Sequence, residues 1–113
     1  MVFLNQGLNV IRDLLKNAIT TGQLGTNGTS PDPTQTNLVA PTAATQLTVT
    51  KLTADRFISV EYLLPSTLGN GIEFKEFAIR DSSASALKRG NFAGITKTNT
   101  KELVMKTTIT IEQ

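Results

Sequence analysis

The sequence predicts a mainly β, α+β domain: an N-terminal amphipathic helix, a long irregular loop, then an antiparallel β-meander or small β-sandwich. Three observations carry that expectation. Apolar residues recur at three- and four-residue steps over residues 4–19. Residues 46–113 instead alternate polar and apolar positions in short runs broken by Gly, Asn, Ser and Pro. Threonine fills 18 of the 113 positions, and β-branched side chains suit strands. The length is that of a single domain, residues 1–113.

In the helix, Leu4, Leu8, Ile11, Leu15 and Ala18 form the apolar stripe, widened by Val10, Leu14 and Ile19. Asn5 is the expected N-cap and Gly22 the expected stop. So short a helix must dock its stripe, on the protein's own sheet or between subunits. Residues 20–45 then read as a loop, because Gly22, Gly25, Gly28, Pro31 and Pro33 block regular structure. Residues 32–38 are expected to make one helical turn with Pro33 at its first position.

The remainder reads as strands. Residues 46–50 alternate, and so do residues 56–64, where Ile58, Val60, Tyr62 and Leu64 share a face. Gly69, Asn70 and Gly71 supply turn chemistry. Residues 72–80 carry mixed residues on both faces, which predicts a change of burial or a bulge. Gly90 and Gly94 mark another bend or bulge within residues 86–96. The clearest alternation spans residues 102–112, with Leu103, Met105, Thr107, Ile109 and Ile111 on the face expected to be core.

Composition narrows the chemistry. Cysteine and histidine are absent, so disulfides, ordinary zinc sites and Cys- or His-dependent catalysis cannot be built. The formal charge is +2 from 11 basic and 9 acidic residues, too little to imply nucleic acid or a membrane surface. No secretion signal or membrane helix is expected. The glycines lack a following Gly-Lys-Ser/Thr, so no phosphate cradle is expected. Glu73 and Glu76 are three apart on a strand and face opposite sides, so both read as solvated or paired with Lys or Arg. Lys88, Arg89, Lys97, Lys101 and Lys106 read as a solvated or inter-subunit face, and few aromatics accompany them for base stacking. No catalytic residue, metal, cofactor, small-molecule substrate, nucleic acid or membrane is expected, and the chain reads as non-enzymatic.

The order of features resembles the small structural proteins of tailed bacteriophages found at the tail tip, baseplate and fibre-attachment region. Asn5, Gly7, Leu8 and Ile11 stand in their opening helix motif. The run Gly25-Thr26-Asn27-Gly28-Thr29-Ser30-Pro31-Asp32-Pro33, continued by Thr36 and Leu38, matches their loop. Gly71-Ile72-Glu73-Phe74 through Ile79, then Arg89 and Phe92, Lys97-Thr98 and a last alternating strand follow in the same order. Ala78 replaces the usual Gly, and Arg80 stands where an aromatic is common.

The resemblance implies a virion structural role without catalysis or cofactor, exercised in many copies beside other virion proteins. Head–tail connector, neck and capsid-decoration proteins are the nearest alternatives, followed by a small carbohydrate-binding module. In such an assembly the long loop is expected to drape over a neighbour. Leu24, Thr26, Thr29, Pro31, Pro33 and Leu38 are then the candidate inter-subunit contacts. Deleting residues 24–34 is expected to spare the fold and impair assembly.

Overall fold

The computed structural model describes residues 4–42 and 47–111. Sequence assignments that fall on Met1 to Phe3, on residues 43–46 and on Glu112 lie outside the described residues. The fold class is the expected one. One helix precedes two antiparallel sheets that pack as a sandwich.

Helix α1 spans Asn5–Ala18. Leu4, in extended conformation, occupies the N-cap and provides no side-chain cap. Asn5 is therefore not the cap. It is the first helical residue, and its side-chain oxygen accepts from Arg56 Nη2 instead. The helix also stops before Gly22. Ile19 turns extended and is fully buried, so the chain is drawn into the core there.

Strand β1, Thr21–Gly25, follows at once. This corrects the reading of residues 20–45 as one loop. β1 lies inside a four-stranded sheet, between β2 (Leu47–Thr48) and β5 (Glu73–Arg80), with β6 (Ala86–Thr96) at the far edge. Its register against β5 runs from Thr21↔Arg80 to Gly25↔Glu76. The second sheet has β4 (Phe57–Leu64) between β3 (Thr50–Ala54) and β7 (Leu103–Thr110).

The core lies between the inner faces of these sheets. Ile58, Val60, Tyr62 and Leu64 of β4 meet Leu24, Phe74 and Ile79 across the interior. Alternate residues of β4 are buried, as the sequence pattern requires. Each large aliphatic side chain in that face contributes about 1.5–3 kcal/mol relative to exposure. The face of β7 that reads as core is correct in register but only half-buried from Leu103 to Ile109.

The mixed faces of β5 have a structural cause. The β5–β6 register slips between Phe74 and Glu76 and again between Ile79 and Arg80. Phe74 faces Ile95 but Glu76 faces Asn91, so β6 bulges opposite Lys75. Phe74 and Ile79 both belong to the core although they are an odd number of residues apart, so the alternation of β5 itself breaks between them.

Tyr62 explains why β1 carries glycine. Its ring lies against Gly22, and its hydroxyl donates to Gln23 O (3.3 Å) and Ala78 O (3.2 Å). A Cβ at Gly22 would overlap the ring. Gly22→Ala is therefore expected to cost about 1–3 kcal/mol in denaturant unfolding. Gly28→Ala is expected to stay within about 0.5 kcal/mol of the parent, because its Cβ would make only ordinary contact with Lys75.

Candidate functional site

The outer face of the four-stranded sheet is where the glycine- and proline-rich segment goes. Glu76 on β5 is fully buried there. Its carboxylate accepts from the backbone N–H groups of Asn27 (3.0 Å), Val39 (2.9 Å) and Ala40 (2.9 Å). Arg89 on β6 completes the set, with Nε donating at 3.0 Å. The same guanidinium donates to Thr29 O, Asn27 O and Gln35 Oε1. A single buried ion pair thus holds both legs of the loop.

Local chemistry shapes the rest of the loop. Thr26 N donates to Ala40 O, and Gly25 bridges to Pro41, so the returning leg lies alongside the end of β1. The Asp32 carboxylate accepts from the Thr34 hydroxyl and N–H, which lowers its pKa. Gln35 N donates to Asp32 O, so Pro33 and Thr34 form one tight turn rather than a longer helical segment. Glycine is required at 25 because a Cβ there would enter the Glu76 carboxylate and Ala40 O.

The candidate contacts therefore divide. Leu24 and Leu38 are buried within this chain, Leu24 completely, and neither is an inter-subunit contact. Thr26, Thr29, Pro31 and Pro33 are exposed on the outer side of the pinned loop. Residues 24–34 are also not dispensable, since they include a core leucine and part of the Glu76 cradle. Of the basic residues read as one face, Lys97 and the side chain of Arg89 are buried, and Lys97 Nζ donates to Asn70 Oδ1 and Thr98 O. Glu73 is exposed beside Lys75, as expected, whereas Glu76 is not.

Among the described residues, two surfaces remain open. The first is on α1. Polar ties hold the helix to the second sheet: Lys51 Nζ donates to Lys16 O and Ile19 O, Arg12 Nη1 to Asp55 O, and Arg56 Nη1 to Asn5 O. Leu8 is buried and Leu15 packs against the core. Leu4, Val10, Ile11 and Leu14 are left facing outward, Leu4 and Leu14 at 74% and 66% exposure. The second open surface is the side of the sandwich where β6 and β7 are both edge strands. Lys88 of β6 reaches across it, donating to Thr107 Oγ1 (2.7 Å) and Thr108 O (3.2 Å) on β7.

Among the described residues, no group of three or more Asp, Glu, Cys or His lies together as a metal site would need. No helix is long and apolar enough to cross a membrane. Comparison with protein-family models, with curated proteins and with solved structures finds no match.

The Glu76 cradle has a pH signature. Burial raises its carboxyl pKa, but the N–H groups of Ala40, Asn27 and Val39 together with Arg89 outweigh it and hold the pKa below the ordinary 4.5. A lowered folded-state value stabilises the protein above the unfolded value, and that stability is lost as pH falls through the folded one. Wild-type stability is therefore expected to fall with acid below about pH 4.5. Glu76→Gln is expected to flatten that acid limb. At neutral pH it should cost about 3–5 kcal/mol in urea unfolding, because Arg89 stays buried without its anion.

Proposed function

We propose that this chain is a non-enzymatic structural building block that works as assembled copies. The setting that fits its sequence is the tailed-phage virion, at the tail tip, baseplate or fibre-attachment region. Its partners there are further copies of itself and other virion structural proteins.

The observation that carries this reading is the outward apolar row on α1. Leu4, Ile11, Leu14 and Ala18 recur at steps of seven, three and four, the spacing of a seam that packs against another surface. Polar ties at both ends fix the helix, so the row is presented on a rigid support. Placing Leu4, Ile11 and Leu14 outward costs solubility in a free monomer, and burial against a neighbour reverses that cost. The low share of charged residues, 18%, supports the same reading, because interface cores are depleted in charge.

Sedimentation velocity over a wide concentration range tests it. The wild-type chain is expected to form dimers or larger species by low-micromolar concentration. Leu14→Lys, at an exposed position, should keep the circular dichroism spectrum and weaken association about tenfold or more. A wild-type chain that stays monomeric throughout would overturn the reading.

A further inference from the structure

We propose that the free edge of β7 is a self-pairing surface, joining two copies of the chain through an antiparallel β7–β7 ladder across a two-fold axis. The proposal rests on the assembly reading above and names its partner, a second copy of this chain.

The edge is long and regular. β7 pairs with β4 without interruption from Leu103↔Leu64 to Thr110↔Phe57. Backbone groups alternate in direction along an antiparallel strand. Ile111 N donates to Arg56 O, on the β4 side. Thr108 O faces the other way, where Lys88 reaches it. Odd-numbered residues of β7 therefore bond β4. Val104, Lys106, Thr108 and Thr110 turn their N–H and C=O groups outward. Lys88 engages one of these carbonyls and none of the N–H groups, and a carbonyl has a second lone pair to offer.

Burial points to what is missing. The inward residues of β4 are all buried, whereas their neighbours Leu103, Met105, Thr107 and Ile109 on β7 are only half-covered. The sandwich is thus open on the flank where another strand would lie. A polar, charged edge would argue against pairing, but β7 carries one charged residue in eight.

The register follows from charge. Only even-numbered residues offer outward groups, so a two-fold ladder must pair even with even. Two registers keep most of the strand overlapped. One centres on residue 106 and sets Lys106 against the partner's Lys106, which is unfavourable. The other centres on residue 107 and pairs Lys106 with the partner's Thr108 and Val104 with the partner's Thr110. On the inner face it sets Met105 against the partner's Ile109 and Leu103 against the partner's Ile111. Lys106 also keeps its own counter-ion, Glu61, at 3.7 Å. The second register is the one assigned.

Substitutions at Thr108 test both the edge and its register. Thr108→Pro removes an outward N–H that β4 does not use, so the fold should persist and self-association weaken at least about tenfold. Thr107→Pro, which removes a bond to β4, should lower thermal stability instead. Thr108→Glu faces the partner's Lys106 and should tighten the dimer. Thr108→Lys should loosen it, the two differing by about tenfold or more at low salt. If Thr108→Pro is folded and associates like the wild type while Leu14→Lys dissociates, the edge proposal falls and the assembly reading stands. Equal association of the Glu and Lys variants overturns the assigned register. A wild type that never self-associates overturns both proposals.

Discussion

Glu76 sits on the outer face of β5 without contact to solvent, and three backbone N–H groups and the Arg89 guanidinium converge on its carboxylate. A buried carboxylate is costly unless nearly all its lone pairs are used. Here they are used by residues that would otherwise have no reason to be ordered. Residues 26–38, between β1 and the returning leg, contain few large apolar groups and cannot fold on their own burial. They are held because their N–H groups satisfy Glu76 and their carbonyls satisfy Arg89. The same pair ties β5 to β6 beside the register shift between Phe74 and Glu76. One ion pair thereby couples the loop and both strands.

The sequence made some of this visible. The alternation in β4 and β7 gave their faces directly, because a strand with one wet face has a period of two. The mixed faces of β5 announced its irregularity. β1 was hidden for a physical reason. Thr21-Gly22-Gln23-Leu24-Gly25 is covered on both faces, by the Tyr62 ring on one and the loop on the other. Such a strand needs glycine where those groups approach. Glycine at 22 and 25 is what made it read as loop. The Glu76–Arg89 pair was hidden because the loop groups that complete it are far away in sequence and a lone glutamate on a strand is ordinarily solvated. The one signal available was a glutamate followed directly by the apolar run Phe77-Ala78-Ile79. Of the candidate contacts, Leu24 and Leu38 are buried within the chain and Thr26, Thr29, Pro31 and Pro33 are exposed.

What remains outside the self-satisfied interior is distributed unevenly. The loop, although exposed, is tied to the chain's own sheet. Among the described residues the helix row has no such polar tie on its outward side, and the β7 edge has one, from Lys88 to Thr107 and Thr108. Little charge, an apolar row on a fixed helix and an open strand are the features that support the proposed assembly. The helix offers area and the strand offers directional hydrogen bonds. These two forms of recognition are separable by substitution, so each can be assigned its share. In the proposed assembly the loop builds the protomer and the two open surfaces join protomers, whereas the sequence alone leads one to expect the joining from the loop.

The most direct measurement is residue-resolved amide hydrogen exchange at two concentrations, one below and one above self-association. The account requires the amides of Asn27, Val39 and Ala40 to be protected equally at both, because Glu76 of the same chain binds them. It requires the amides of Lys106 and Thr108 to exchange freely when dilute and slowly when concentrated. Loop amides that become protected only on concentration, with β7 edge amides unchanged, would contradict it.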